Sequence, residues 1–342
     1  MLTSRFDPEL PQQERLGNLT IHRIGKGRRG FFFHSFRKGA KLLLQNPQIE
    51  VIHASTYTSA IPASILWTLF KKKKILTVHE IFWRLWKQFK PRYSRWVYQL
   101  FERLIFKFPH NEYHCVSLYT LNSVRLYYGL PDKKLHLIYN GVDADFWNAG
   151  QVSEETKKKR RKKFWWENKF LMLYYGHSGV SKGIDYLIEA MPEILMQNAD
   201  GVLIFNLIPA KRDREIRGRI NPSVTSWHLP WQGDKNEVIV FSGFPQEELR
   251  ELIACADVVI APSLAEGFGS VHSEACAMGK PLITTQVAAI PEVVSGKVVF
   301  VQAASSEAII QGIQQAREGK YVSIAEKRFD WDESVEKLEK LY

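Results

Sequence analysis

Short apolar segments alternate with amphipathic ones along most of the chain, and this alternation predicts a parallel α/β architecture. The clearest case is the strand Phe170–Tyr175, which precedes a helix over Ile184–Met196 whose apolar residues share one face. The other predicted strands are 50–55, 75–79, 113–117, 135–139, 202–208, 238–241, 258–261, 281–285 and 298–301. The other predicted helices are 60–70, 247–256, 272–278 and 306–315.

The chain length and this pattern predict two Rossmann-like, doubly wound domains that face a cleft. The N-terminal domain is predicted over 1–148 and the C-terminal domain over 149–325. Residues 326–342 are predicted to form a last helix that packs back on the first domain. The polar stretch 151–163 lies next to the interdomain linker and begins the second domain.

The charge is distributed unevenly between the two halves. Residues 1–163 carry 30 Lys and Arg against 12 Asp and Glu, a net +18, whereas residues 164–342 carry 17 against 24, a net −7. A basic half favours an anionic surface, which leaves membrane phosphates, nucleic acid and a phosphorylated acceptor open. No apolar run reaches the roughly 18 residues of a membrane span. The three cysteines lack metal-ligand spacing.

The loop Gly176–Gly183 follows a predicted strand and precedes a helix. Glycines let a backbone approach a phosphate, and a helix N-terminus favours an anion. Lys182 adds a full positive charge that suits a diphosphate. The loop lacks the P-loop pattern and the Gly-x-Gly-x-x-Gly pattern, so it could equally be a simple turn.

A second loop lies within the segment Pro262–Gly279, after the strand VVIA. Glu266 is placed in this loop, and Glu274 falls in the first turns of the following helix. Ionised carboxylates beside backbone N–H groups can bind sugar and ribose hydroxyls. The alternative is a helix N-terminus whose dipole attracts acidic residues.

Several segments resemble glycosyltransferase family 4, the retaining transferases of the GT-B fold. They are EGFG with Glu274 eight residues after Glu266, LHLIYNGVDADFW, GHSGVSKGIDYLIEA, VIVFSGFPQEELRELIACADVVIAPS, KPLITTQVAAIPEVV, ILTVHE and CVSLYTLNSV. The resemblance runs from about residue 49 to about residue 301. It implies transfer of a hexose from a nucleotide-diphosphate sugar with retention at the anomeric carbon, by front-face attack and without a required metal.

The resemblance also implies roles for individual residues. Glu266 would contact the hydroxyls of the donor sugar, and Glu274 would hold the ribose. Lys182 would neutralise the diphosphate leaving group. His79, in the first domain, would lie near the transferring sugar and the acceptor. The remaining candidate donor-binding residues are His177, Gly179, Gly267, Phe268, Gly269 and Ser270.

Two features depart from the family pattern. The family usually has Arg where His177 stands, so a cation for the diphosphate is missing at that position. The family also begins with a strand and a Gly-rich loop that faces the acceptor, whereas residues 1–8 resemble the family's second strand. We therefore expect the first domain to be incomplete at its start.

A basic aromatic stretch over 81–108 suggests an anionic membrane surface as a partner. Within 92–108 one apolar stripe alternates with basic residues, and we favour burial of this stripe against the domain's own sheet. Residues 82–90 are harder to bury and are the better candidates for a lipid or acceptor surface. The stripe comprises Trp96, Val97, Leu100, Phe101, Leu104, Ile105 and Phe108.

The leading hypothesis is a cytoplasmic glycosyltransferase, peripheral at the inner face of the membrane, with a glycan, a lipid-linked molecule or a small molecule as acceptor. A non-catalytic nucleotide-sugar-binding protein and a sugar-nucleotide epimerase of the same fold remain open. A glycosidase is disfavoured because Glu266 and Glu274 lie on one segment rather than on opposite sides of a bond. No nucleic-acid recognition motif is visible. No cofactor is expected besides the nucleotide-sugar substrate.

Overall fold

The computed structural model describes residues 1–5, 9–89, 91–108, 110–208, 212–220 and 237–342. The chain divides into two compact units. The first comprises Met1–Tyr139 together with Asp332–Tyr342, and the second comprises Asn140–Trp331. No helix within the described ranges combines the length and the hydropathy that crossing a bilayer requires.

The strands of the first unit are β1 (Leu2–Arg5), β2 (Gln13–Leu16), β3 (Leu19–Lys26), β4 (Val51–Ser55), β5 (Lys73–Val78), β6 (Glu112–Cys115) and β7 (Leu135–Leu137). The strands of the second unit are β8 (Phe170–His177), β9 (Gly201–Ile208), β10 (Glu237–Phe241), β11 (Val258–Ala261), β12 (Leu282–Thr285), β13 (Gly296–Val301) and β14 (Val322–Ile324). The predicted strands are confirmed: the strand predicted at 258–261 keeps its bounds, and the ends of the others move by at most two residues.

The helices before the second unit are α1 (Gly27–Gln45), α2 (Ala60–Phe70), α3 (Trp86–Phe89), α4 (Arg95–Lys107) and α5 (Leu118–Tyr128). Those that follow are α6 (Glu154–Lys163), α7 (Ile184–Gln197), α8 (Asp213–Ile220), α9 (Gln246–Cys255), α10 (Ser270–Ala277), α11 (Ile290–Val293), α12 (Ser306–Arg317) and α13 (Trp331–Glu339). The predicted helix over 60–70 is confirmed with its bounds unchanged.

The second unit is built on a seven-stranded sheet in the order β10-β9-β8-β11-β12-β13-β14. All neighbouring pairs are parallel except β13 with β14. The first six strands have the doubly wound order, which reverses between β8 and β11. Both faces of these strands are covered, which is why they read as continuous apolar runs.

The first unit contains two sheets instead of the single doubly wound sheet that the pattern predicted. Strands β4, β5, β6 and β7 form a parallel sheet in chain order. Strands β1, β3 and β2 form a separate sheet in which β2 and β3 pair antiparallel.

Helix α5 is held at its start by a capping box between Ser117 and Thr120.

The division between the units falls at Tyr139 rather than at residue 148. Residues after Tyr139 pack into the second unit, since Trp147 belongs to its core and Arg250 stacks on the Phe146 ring. At the other end, Leu338 and Leu341 pack with Ile75 and Ile138 of the first unit. The second unit therefore extends to Trp331 and the last residues cluster with the first unit.

The predicted burial of the apolar stripe within 92–108 is confirmed for Ile105 and in part for Phe101, and it is wrong for the rest of the stripe. Trp96, Leu100 and Leu104 on the predicted stripe are exposed, whereas the opposite face of α4 buries Glu102. Residues 82, 83, 85, 86 and 89 are half-buried instead, and residue 90 lies outside the described residues. The physical reason is the Glu102 carboxylate on α4, which accepts hydrogen bonds from backbone and indole N–H groups of residues 82–86. These bonds hold residues 82–86 against the Glu102 face of α4, so that this face is buried and the stripe faces outward.

Candidate functional site

Both candidate loops follow the two strands at which the order of the second sheet reverses. The loop Gly176–Gly183 leaves the end of β8, and residues 262–269 leave the end of β11, which is the neighbour of β8. At such a switch point the connections that follow the two strands run to opposite sides, and a crevice forms between them at the carboxyl ends of the strands. The topology therefore places the two loops at the edge where α/β proteins bind ligands.

The two loops are hydrogen-bonded to each other through their backbones. Ser181 O accepts from Leu264 N at 2.7 Å and from Ala265 N at 3.2 Å. This approach requires Gly183, whose φ is +68° and where a Cβ would stand 1.9 Å from Pro262 O. Only glycine fits such a contact in this conformation.

The contact between the loops brings Lys182 and Glu266 together. Lys182 Nζ donates to both Glu266 carboxylate oxygens, at 2.8 and 2.9 Å, and Ser263 Oγ donates to one of them at 2.8 Å. Glu266 is only 6% exposed. Burial by itself would raise its pKa, but the Lys182 charge, the strongest opposing influence, and these hydrogen bonds hold the pKa below its ordinary value. Glu266 is therefore an ionised, oriented acceptor.

Helix α10 begins directly after this carboxylate. Gly269 is its N-cap residue with a φ of +98°, and Ser270, its first residue, is exposed. Gly267 and Phe268 are buried, and the Phe268 ring packs edge-on against Phe329. The candidates 266–270 thus form one continuous turn at a helix N-terminus, where backbone N–H groups favour an anion or an oxygen acceptor.

Glu274 lies in the second turn of α10 and is half-buried. Burial raises the pKa of its carboxyl to about 7, and the neighbouring Tyr175 hydroxyl only partly opposes this. Tyr175 itself donates to Val271 O at 2.9 Å. The two glutamates of the segment therefore differ in character, since Glu266 is held ionised and Glu274 titrates near neutrality.

His272 is a residue of this site that sequence reasoning missed. It is fully buried, and its Nε2 lies 2.9 Å from Thr284 Oγ1. Because Thr284 donates its own proton to Ala261 O, Nε2 must carry the imidazole hydrogen. Nδ1 is buried and has no hydrogen-bond partner among the described residues, and it lies 2.9 Å from where a Cβ on Gly269 would stand. The available signal was a lone histidine in the helix that follows Glu266.

His177 and Gly179 lie at the start of the first loop. His177 ends β8, and its backbone oxygen accepts from the Tyr174 hydroxyl at 2.9 Å. Partial desolvation and then the Lys182 charge lower the pKa of His177. The side chain is therefore neutral at pH 7 and does not supply the second cation of the family pattern. Gly179 precedes the turn that carries Lys182.

His79 belongs to the first unit, whereas the other candidates belong to the second. It follows β5 directly, its side chain is exposed, and its backbone N–H donates to Thr56 Oγ1 at 3.3 Å. The residues after it are fixed by Glu102, which accepts from Phe82 N and Trp83 N, each at 3.0 Å. Position at the carboxyl end of a parallel strand suits a ligand-binding role.

Two family models match the chain, and together they cover most of it. The model described as Glycosyltransferase Family 4 matches residues 1–146, and the model described as Glycosyl transferases group 1 matches residues 169–318. An uncharacterized glycosyltransferase of Methanocaldococcus jannaschii is 27% identical over 191 residues, which are 55% of this chain and 46% of that protein. The chain thus spans about half the length of this curated relative.

Solved structures share the architecture at low sequence identity. A sucrose-phosphate synthase from Thermosynechococcus elongatus aligns with a TM-score of 0.77 at 20% identity, covering 100% of this chain and 87% of that chain. Anabaena HepE in complex with UDP-glucose aligns with a TM-score of 0.69 at 18% identity, covering 91% and 82%. The fold is that of the GT-B glycosyltransferases, as the resemblance implied. The chain belongs to glycosyltransferase family 4.

Proposed function

We propose that the protein is a retaining glycosyltransferase that takes a hexose from a nucleotide-diphosphate sugar. The observation that carries this proposal is the pairing of Lys182 with Glu266 at the switch point of the second unit. A cation and an ionised carboxylate side by side match the two ends of such a donor, a diphosphate and a sugar rich in hydroxyls. A relative of the same fold is described as a complex with UDP-glucose, which favours a donor of that class.

The proposed roles follow from the charges of the site. Lys182 has three N–H donors on its ammonium group. When the donor binds, this group exchanges the Glu266 carboxylate for the diphosphate as its anionic partner. Glu266, released from Lys182, accepts hydrogen bonds from the sugar hydroxyls while Ser263 continues to orient it. Glu274 accepts from the ribose hydroxyls, most strongly when it is ionised. Backbone N–H groups of 267–269 complete the contact with the sugar.

Transfer itself is proposed to depend on stabilising the leaving diphosphate. As the glycosidic bond breaks, negative charge grows on the phosphate beside Lys182 and positive charge grows at the anomeric centre near Glu266. Groups fixed in advance against both charges lower the barrier. Front-face attack, with the departing phosphate accepting the acceptor's proton, retains the anomeric configuration. We propose that Lys182 takes the part that a metal ion plays at other diphosphate sites.

The acceptor side is proposed to lie with His79 in the first unit. This role follows from the family resemblance, with a glycan, a lipid-linked molecule or a small molecule as acceptor, and the carboxyl end of a parallel strand such as β5 suits ligand binding. We further propose a cytoplasmic location, at the inner face of the membrane where the acceptor is lipid-linked. The basic charge of the first unit supports an anionic partner on this side.

Donor turnover tests the proposed reaction. Thermal-shift measurements with UDP-, GDP- and ADP-glucose first select the nucleotide. Hydrolysis and transfer are then compared in the wild type, Glu266→Ala and Glu167→Ala, the last being an exposed acid of the same unit. We expect Glu266→Ala to lose about 100-fold or more of the turnover, since it removes a preorganised group, and the control to lose none.

Each other outcome has a distinct meaning. A shift in the thermal midpoint without turnover in the wild type would make the protein a nucleotide-sugar-binding protein, and interconversion of the free sugar nucleotide would make it an epimerase. Equal turnover in the wild type and Glu266→Ala would remove Glu266 from the site. An inverted anomeric carbon in the product, read by NMR, would contradict the retaining mechanism.

A further inference from the structure

Helix α4 presents an apolar face to solvent. The exposed fractions are 60% for Trp96, 49% for Leu100 and 46% for Val97, and Leu104 and Phe108 continue the same face with more than a third of their surface exposed. These five residues are called here the outer face of α4. Single exposed apolar residues are common, but a contiguous row of large ones on one helix marks an interaction site.

The orientation of α4 is fixed by its opposite face. Ile105 and Phe106 are buried in the core of the first unit, and Glu102 is fully buried between them and the segment 82–86. Three N–H donors converge on the Glu102 carboxylate, Phe82 N and Trp83 N at 3.0 Å and the Trp86 indole, and the Tyr57 hydroxyl, which donates to Glu80 O at 2.8 Å, lies 3.4 Å from it. Turning the helix to hide its outer face would break these contacts, so the exposure of that face is built into the fold.

The surroundings of the outer face are positively charged. Between Pro91 and Phe108 the sequence has four Lys and Arg, and its single acid is the buried Glu102. Arg92, Arg103 and Lys107 are exposed on α4 and at its start. The Arg103 guanidinium lies 4.8 Å from the centre of the Trp83 ring, so this cation stands beside an aromatic side chain. Apolar and cationic groups therefore share the exposed side of the segment 91–108, which has no acid besides the buried Glu102.

We propose that the outer face of α4 docks on the surface of an anionic lipid bilayer. Trp96, Leu100 and Phe108 would enter the boundary between headgroups and acyl chains, and the flanking cations would meet lipid phosphates. A second copy of the chain fits less well, because face-to-face pairing would bring two sets of cations together. The inference goes beyond the transfer reaction and does not depend on it.

Vesicle co-sedimentation of the full chain tests the apolar part of the surface. Vesicles contain equal parts phosphatidylcholine and phosphatidylglycerol, and the buffer has low salt. The double variant Trp96→Ser/Leu100→Ser should bind at least about tenfold more weakly, because two apolar side chains no longer leave water. Leu126→Ser is the matched control, since Leu126 is 75% exposed on α5 of the same unit. It should bind like the wild type.

A second pair of variants tests the charges. Arg103→Glu/Lys107→Glu should weaken binding to the same vesicles about tenfold or more, since each cation near an anionic surface contributes measurably. Lys158→Glu/Lys162→Glu makes the same charge change at the same spacing on the exposed side of α6 and should have a much smaller effect. Vesicles of phosphatidylcholine alone should bind the wild type weakly.

Three results would overturn the proposal. One is wild-type protein that stays in solution with anionic vesicles at low salt. Another is Trp96→Ser/Leu100→Ser binding as strongly as the wild type while circular dichroism shows both folded. A third is wild-type protein that is dimeric in sedimentation velocity while Trp96→Ser/Leu100→Ser alone is monomeric, since the outer face of α4 would then bind a second copy of the chain. The thermal shift caused by the selected nucleotide is measured on the same proteins. A normal shift shows that the donor site is intact, so a failure of membrane docking can be told apart from a failure of the donor site.

Discussion

Gly183 determines how close the two loops of the donor site can approach. A Cβ there would overlap Pro262 O, the same turn carries Lys182, and the neighbouring Ser181 O receives two backbone N–H groups from the other loop. A residue without a side chain thus positions the cation that pairs with Glu266. At this scale the site depends on sterics as much as on charge.

Gly183→Ala should therefore destabilise the protein by at least about 3 kcal/mol, since it adds a backbone overlap to the cost of a positive φ. Gly279→Ala is the matched control. Gly279 has a similar φ of +63°, but nothing lies within 4 Å of its added Cβ. The control should lose only about 1 kcal/mol, the cost of the φ alone. Urea unfolding of both variants measures the difference, and equal losses would show that the contact with Pro262 is unimportant.

Glu274 makes stability depend on pH near neutrality. Its pKa is about 7 in the folded protein, above the ordinary value of 4.5, because burial disfavours its charge. Between these two values the folded state holds a proton that the unfolded state has released, so stability falls as pH rises through this window. The loss should be up to about 2–3 kcal/mol by pH 8.

Thermal midpoints between pH 4.5 and 8 test this dependence. Glu274→Gln should flatten the slope because the amide does not titrate, and Glu167→Gln should leave the slope unchanged. A slope that survives in Glu274→Gln would assign the titration to another group. With donor present, the wild type should bind more tightly at pH 8 than at pH 6, since ribose hydroxyls donate best to the ionised carboxylate.

At the scale of elements, the second unit was predictable and the first was predictable only in part. Strands such as β8 and β11 are apolar throughout, because a central parallel strand is buried on both faces. The hairpin of β2 and β3 was missed although Gly17-Asn18 separates the two strands, which is a two-residue turn signal. The short, polar strands β1 and β2 carry no comparable apolar run.

Helix α4 shows what the period of apolar residues can and cannot predict. The pattern correctly predicted an amphipathic helix, but it could not tell which face is buried. One buried carboxylate decides this: Glu102 is inside because residues 82–86 supply its donors, and these residues lie more than ten positions away in the sequence. The same holds for Lys182 and Glu266, whose pairing across 84 positions depends on the order of the strands.

Glu102→Ala should destabilise the protein by about 3–5 kcal/mol, since it leaves two backbone N–H groups and an indole N–H buried without an acceptor. Glu155→Ala on α6 is the control, because this glutamate is exposed, and it should cost less than about 0.5 kcal/mol. Urea unfolding followed by circular dichroism gives both values. A loss below about 1 kcal/mol in Glu102→Ala would mean that water replaces the carboxylate and that α4 is not fixed as described.

On the scale of the whole molecule, the excess positive charge lies in the first unit and the proposed donor site lies in the second. The first unit carries 25 Lys and Arg against 12 Asp and Glu, and the second carries 22 against 24. The basic run of α6 belongs to the second unit, where Arg160 pairs with Glu251 and Arg161 with Asp257. The excess positive charge is thus a property of the unit that bears the outer face of α4, while the nearly neutral unit bears the proposed donor site.

The central claim, a donor site built by Lys182 and Glu266, is tested most directly by calorimetric titration with UDP and UDP-glucose, or with the base that thermal shift selects. Lys182→Ala should weaken both ligands by about tenfold or more, because it removes a charge-assisted contact with the diphosphate. Glu266→Ala should weaken UDP-glucose but not UDP, because this carboxylate contacts only the sugar. Glu167→Ala should change neither. Unchanged affinity for both ligands in Lys182→Ala and in Glu266→Ala would contradict the account.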